Sequence, residues 1–450
     1  MTRDLHRITV VGSFEEATLP SELSTFYSDG TFINRQYKKP MEMDAYSLYL
    51  GLKALERRES RDFSVERKAL VNAVIGRMTT CNGFWAHGLW GDAEIHMRFT
   101  AASLRLLGEA WNDGLLTDPS VIVSTLKKHL SYRAEIECGT WFLHDSLEMV
   151  NACRQHPLKP FPNSVWGSSH LNCLVLNTHV DTLSTAIYLL QRLELSALDR
   201  RYFHDLVQSG LKALSFVLSQ RMTRNARLFA GADAKSRSVL FSLFALPDWQ
   251  ITTICRKVFY KLYFSARQRV QIYFPLFVFP DGYIGRDIGL RINHLEYHYV
   301  NASDLAKLMI QLKESTQFYD QELFERCGVV VDNAIDYAVR STYRWYLLSS
   351  MSNAARAILV CEAILARLST MACGTAPVHW IQAYCRIRRS LPPTPALIGY
   401  DPFVVSTGLL QRPLTDGWDY GALRNGRCFA VNYQEDRLFL DCDERACLCP

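Results

Sequence analysis

The sequence predicts an all-α protein assembled from pairs of amphipathic helices, with short strands only near its two ends. Two observations lead there. Apolar residues recur at helical spacing in "HVDTLSTAIYLLQRL", where Leu183, Ala186, Ile187, Leu190 and Leu193 share one face. "NASDLAKLMIQLKES" (Leu305, Leu308, Met309, Leu312) and "FTAASLRLLGEAW" (Phe99, Ala102, Leu106, Ala110) repeat the pattern. Strand-like stretches are confined to "HRITVVGSF" and "RNGRCFAVNYQEDRLFLDC", the second beside an Asn425-Gly426 turn signal.

Taken in order, each helix is followed by a short polar break and a partner. The first pair spans 45–78. The next two begin at "FTAAS" and "HVDTL" and continue into "SVIVSTLKKHL" and "YFHDLVQSGLKALSFVL". A further pair runs from "NASDLAKL" into "ELFERCGVVVDNAIDYAV", another joins "AARAILVCEAILARLS" to "VHWIQAYCRIRRSL", and 236–270 offers a sixth. The units are unevenly spaced, which excludes a regular short-period solenoid. The expected division is an N-terminal extension (1–42), a helical-hairpin body (43–390) and a C-terminal segment with a β-hairpin (391–450).

At 450 residues with 48% hydrophobic content, the chain can bury a large core. Neither a secretory signal nor an apolar run long enough to span a membrane is visible, so a cytoplasmic protein is expected. The thirteen cysteines are mostly scattered singly, as reduced thiols are. Cys442, Cys447 and Cys449 cluster without a fourth zinc ligand at recognisable spacing. Net charge is +5, but 221–291 holds twelve Lys or Arg against four Asp or Glu. That local field suits an anionic ligand or a solvated outer helix. No nucleic-acid-binding motif accompanies it.

Three segments place a histidine-containing polar cluster at the start of a helix: "GFWAHGLWGDAEIHMRFTA", "SSHLNCLVLNTHVDTLSTA" and "RDIGLRINHLEYHYVNASD". In the last, Asn301 with Asp304 three residues on reads as the helix start, leaving His294, Glu296, Tyr297 and His298 ahead of it. "GTWFLHDSLE" adds Trp141, His144, Asp145 and Glu148 as a loop beside them.

In its alternation of an Ala/Leu-rich helix with an amphipathic partner, 43–390 resembles the (α/α)-toroid superfamily. That superfamily includes the six-hairpin barrels of polysaccharide lyases, uronate epimerases and glycoside hydrolases. The resemblance implies a toroid of about five to six hairpins whose buried helices point their N-termini at one substrate mouth. Helix N-termini favour anions, which agrees with the basic stretch.

Three chemistries compete for these residues. Lyase or epimerase proton abstraction beside a carboxylate would use His294, His298, Tyr297 and His179 as acid–base groups. Asn177, Arg286, Arg291 and Asn293 would hold the negative charge. Glycoside hydrolysis would use two carboxylates drawn from Asp92, Glu94, Asp181 and Glu296. A metal site would draw on His87, His96, His179, His294 and His298, but no compact ligand motif supports one. Trp85 and Trp90 suit core packing or stacking on a sugar, and His96 and Asp181 complete the expected substrate-binding set.

The leading expectation is thus an enzyme acting on an anionic small molecule or oligosaccharide, without cofactor or metal. The alternatives are a cyclase or tailoring enzyme of terpenoid or peptide natural products, and a non-catalytic scaffold that binds an anionic partner. The absence of DxDD and DDxxD patterns weighs against terpene cyclisation.

Overall fold

A computed structural model describes residues 62–79, 95–144, 174–219, 222–271, 273–286, 297–349, 357–371 and 377–390. It also describes single positions between 42 and 53, Leu295, and short strands at both chain ends. The described residues are predominantly helical, in agreement with the all-α expectation. The helices are α1 (Ser64–Thr79), α2 (Met97–Asn112), α3 (Ser120–His129), α4 (Leu176–Leu190), α5 (Ala197–Leu218) and α6 (Arg224–Leu243). They continue with α7 (Gln250–Gln271), α8 (Tyr297–Glu314), α9 (Gln321–Arg340), α10 (Tyr343–Leu347), α11 (Ile358–Thr370) and α12 (Val378–Ser390).

These helices fall into two classes. Every residue of α4 is buried, as are the first fourteen of α2 and the first sixteen of α8. The four buried helices pack side by side in the order α2, α4, α8, α11. Each has its amphipathic partner against it: α3 on α2, α5 on α4, α9 on α8, α12 on α11. This two-layer arrangement follows from composition. A helix apolar all round must be enclosed, whereas one with a single apolar stripe covers a core and keeps a wet face. The described helical positions Ala45, Tyr46, Tyr49 and Leu52 are buried in the same way beside α1 and α2, where Arg67 donates to Asp113 (2.7 Å).

The α6–α7 pair, expected within 236–270, is of another kind. Its two helices pack on each other and both keep long exposed faces. The fully buried Arg237 anchors it by pairing with Asp233 in its own helix and with Asp281 (2.6 Å).

Ser196, Thr223 and Asp320 cap α5, α6 and α9 by accepting from a backbone N–H three residues on. Replacing Asp320 by Ala is expected to remove about 1 kcal/mol of stability in urea titration. Asn301 does not do this job, a correction to the sequence reading. The helix α8 already begins at Tyr297, and the buried Asn301 side chain donates to the Gly285 carbonyl at 3.0 Å. With that partner available, the chain stays helical through Asn301.

The strand-like ends form two antiparallel three-stranded sheets. One is β1 (Leu5–Ile8), β2 (Ser24–Tyr27) and β3 (Phe32–Asn34). The pair Asn425-Gly426 lies outside the described residues. A hairpin inside the helical body, β4 (Arg133–Ile136) with β5 (Gly139–Phe142), is absent from the sequence expectation. The second end sheet is β6 (Trp418–Ala422), β7 (Cys428–Asn432) and β8 (Arg437–Leu440).

That hairpin belongs to a local arrangement used twice. In the first copy, Gly139 lies against the Ser209 carbonyl of α5, and Trp141 stacks on His179 with ring centroids 4.0 Å apart. The N–H of Phe142 donates to His179 Nδ1 (3.1 Å), and His179 Nε2 donates to the Gly210 carbonyl (3.1 Å). In the second copy, Gly282 lies against the Asn333 carbonyl of α9, and Tyr283 stacks on His298 at 5.2 Å. Ile284 N–H donates to His298 Nδ1, and His298 Nε2 donates to the Ala334 carbonyl, both at 3.0 Å. Each copy ends by satisfying the start of an earlier buried helix. His144 O accepts from Met97 N–H, and Arg286 O accepts from Leu176 N–H, both at 2.9 Å. His144 and Arg286 are therefore equivalent positions.

Candidate functional site

The two end-of-copy residues meet. Arg286 Nη2 approaches His144 Nε2 at 3.0 Å, and a guanidinium has only donors, so Nε2 accepts. The ring proton then sits on Nδ1, which donates to Thr178 Oγ1 at 2.6 Å in the first turn of α4. The Arg286 guanidinium also lies over the Tyr297 ring, 4.6 Å from its centroid, at the first residue of α8. His96, preceding α2, accepts from Arg98 N–H through Nδ1 and packs its ring 4.3 Å from that of His144. The N-termini of α2, α4 and α8 thus converge on one cluster of His96, His144, Thr178, Arg286 and Tyr297. The buried Asn177 neighbours it in sequence.

Further along the same helices lies a second cluster, made of ions. Arg98 pairs with Asp304 (2.5 Å) and Arg105 with Asp181 (2.5 Å). Lys307 pairs with Glu362 (2.8 Å), which also accepts from Ser303. Arg105 donates to Thr185 and lies over the Tyr46 ring. Five buried helical segments therefore contribute, through Tyr46, Arg98 and Arg105, Asp181, Asp304 and Lys307, and Glu362. None of these side chains is more than one-tenth exposed.

Such pairs are costly to enclose, and well-packed apolar residues of similar volume often stabilise as well or better. Stability alone does not explain six charges among apolar helices. A cluster of buried titrating groups makes this a candidate site.

The two aspartates feel opposite environments. Burial opposes ionisation of Asp181, but Arg105, Arg98 and Lys307 together outweigh it and hold the carboxyl below its usual range. Burial pushes Asp304 above its usual range, which Arg98 and Lys307 offset only in part while the Asp181 charge adds to it. Among the described residues, Asp181 Oδ2 is buried without a hydrogen-bond partner. His129, donating or accepting at Thr182 (3.1 Å), is pushed down to about 4, first by burial and then by Arg105 against the opposing pull of Asp181.

The sequence-predicted residues divide three ways. His96, Tyr297 and Arg286 come together, with Asn177 adjacent, and Asp181 lies in the ionic cluster. His179 and His298 share the starts of α4 and α8, but both nitrogens of each ring are engaged with backbone groups of neighbouring elements. Burial pushes each down to about 3, so both are neutral fasteners in this structure. Asp92, Glu94, His294, Arg291, Asn293, Trp85 and Trp90 lie outside the described residues, as do Cys442, Cys447 and Cys449.

Sequence reasoning passed over Arg98, Arg105, Lys307, Glu362 and His129, and took Asp304 only as a helix-start signal. A usable sign was present. Arg98 and Arg105 stand seven residues apart in "MRFTAASLRLLGEAW", and Glu362 is the one charge in "ILVCEAILA", each inside a helix otherwise fit for full burial. Among the described residues, no three His, Cys, Asp or Glu gather as a metal-binding group. Comparison with known protein families, curated proteins and solved structures found no match to this chain.

Proposed function

We propose that the buried helices close into an (α/α) toroid. Its N-terminal mouth would be the active site of an enzyme acting on an anionic carbohydrate by lyase or epimerase chemistry. The observation that supports this most is the His144–Arg286–Tyr297 contact where three helix N-termini meet.

The guanidinium that now faces His144 Nε2 is the natural partner of a substrate carboxylate, which it binds as a fork. Once Arg286 turns to that carboxylate, Nε2 holds a lone pair aimed at the adjoining carbon, and the Thr178 contact keeps the proton on Nδ1. His144 takes the proton beside the carboxylate, and the electron pair moves into an enolate-like intermediate stabilised by Arg286 and the helix N-termini. In a lyase, that pair forms a carbon–carbon double bond as the neighbouring glycosidic C–O bond breaks, and Tyr297 protonates the leaving oxygen. In an epimerase, a proton returns to the opposite face.

The test is to incubate the full chain in D2O with uronate-containing oligosaccharides. Ultraviolet absorbance reads the unsaturated product, and mass spectrometry reads deuterium at the carbon beside the carboxylate. His144→Gln and Arg286→Lys should each lower the rate by about a hundredfold or more with unchanged circular dichroism. Neither absorbance nor exchange with the wild-type chain, or full activity of His144→Gln, would remove the reading.

The unlike pair Asp181 and Asp304 favours a second reading, an acid-initiated reaction such as glycoside hydrolysis or cyclisation with Asp304 as the acid. There Asp304→Asn would abolish turnover while His144→Gln left it intact.

A further inference from the structure

The α6–α7 hairpin turns an apolar face outward. Tyr263, Phe264, Arg267 and Gln271 of α7 are buried against the protein. On the opposite side Ile251, Ile254, Val258 and Leu262 follow one another at helical spacing and are 74%, 60%, 53% and 65% exposed. Trp249, just before the helix, is 67% exposed and Leu246 also faces solvent. A helix apolar on both its inner and its outer side is made to be covered on both.

The charges around this stripe are of one sign. Lys257, Lys261 and Arg269 of α7 and Arg224, Arg227 and Lys235 of α6 are all exposed, and none pairs with a described residue. Between 222 and 271, the acids are the buried Asp233 and the exposed Asp248, which Arg256 already engages.

We propose that this hairpin docks on an anionic lipid surface. The helix α7 lies in the plane of the membrane interface, with Ile254, Val258, Leu262 and Trp249 at the acyl boundary. Lys257 and Lys261 sit against headgroup phosphates and carboxylates. Apolar residues flanked by lysines, with a tryptophan at one end, are what such an interface selects. The 22-residue helix supplies a contact about 33 Å long. No described helix is long and apolar enough to cross a membrane.

Charge also decides against a second copy as the occupant. A two-fold pairing of this face would bring Lys257, Lys261 and Arg269 of both copies into one interface with no free acid on α6 or α7 to neutralise them. An anionic bilayer neutralises all of them at once.

The experiment is cosedimentation of the full chain with vesicles of phosphatidylcholine alone and of phosphatidylcholine mixed with phosphatidylserine. The protein should pellet with the mixed vesicles, remain in solution with phosphatidylcholine alone, and be released as salt is raised. The double variant Lys257→Glu/Lys261→Glu should lower partitioning at least about tenfold. The triple variant Ile254→Ser/Val258→Ser/Leu262→Ser should do the same with unchanged circular dichroism, since all three side chains are more than half exposed. A blue shift of tryptophan emission on binding should shrink in Trp249→Phe. No binding to either vesicle, equal binding to both, or binding that ignores both variants overturns the proposal. So does a concentration-dependent dimer that the serine variant dissolves, which would assign the face to a second copy.

Discussion

Gly282→Ala will lower the stability of this protein by about 3 kcal/mol or more, the strain of a forced backbone plus a displaced helix carbonyl. Gly282 has a φ of +93°, a conformation that L side chains rarely adopt. An added Cβ would also sit well inside van der Waals contact of the Asn333 carbonyl oxygen. Asn333 immediately precedes Ala334, whose carbonyl takes the His298 Nε2 proton. Displacing the α9 backbone there therefore loosens the histidine fastener as well. Gly139, with a φ of +147° against Ser209, stands in the same relation to Gly210 and His179, so Gly139→Ala should behave alike. Gly231 supplies the contrast. It lies in α6 with nothing within 4 Å of an added Cβ, so Gly231→Ala should be neutral or stabilising by up to about 1 kcal/mol. Urea midpoints of the three variants decide the matter. Equal midpoints for Gly282→Ala and the wild type would mean that the turn does not depend on its glycine.

These two glycines also mark where the sequence was hard to read. Helical pairing was legible because burial imposes a spacing that survives almost any choice among Ala, Leu, Ile and Val. The duplicated turn was not, because its copies share roles rather than residues. Trp141 corresponds to Tyr283, Phe142 to Ile284 and His144 to Arg286, and one extra residue separates Gly139 from its partners. The histidines were visible but ambiguous. A ring at a helix start can cap, catalyse or bolt two elements together, and only the partners of its two nitrogens distinguish these. For His179 and His298 those partners are backbone amides and carbonyls. For His144 they are a hydroxyl and a guanidinium. The ionic cluster escaped for another reason. Arg105–Asp181 and Arg98–Asp304 join residues 76 and 206 positions apart, and no local pattern announces such a pairing.

The same fasteners, together with the buried His129, make the fold lose stability in acid above the range of ordinary carboxylates. His129, His179 and His298 are enclosed as neutral rings, with values pushed down from 6.5 to about 4, 3 and 3, chiefly by burial. Once unfolded, all three regain ordinary affinity for protons. Between pH 6.5 and about 4 the unfolded chain thus binds protons that the folded chain refuses, and stability falls as pH falls. Each such histidine contributes up to about 1.4 kcal/mol per pH unit, so the three approach about 4 kcal/mol per unit. Asp304 opposes them. Its carboxyl is raised in the folded state, so there the folded chain holds a proton that the unfolded chain releases, and this returns at most one proton's worth. The net slope, about 3 kcal/mol per unit, removes about 5 kcal/mol by pH 5, a large share of a typical total of about 5–15 kcal/mol. Melting temperatures recorded from pH 7.5 downward should be flat at first and then drop sharply below about pH 6. His179→Asn, which cannot take up a proton, should start from a lower melting temperature and descend less steeply by about one proton. A wild-type profile that stays level to pH 5 would show that these rings are protonated, or reachable by water, in the folded chain.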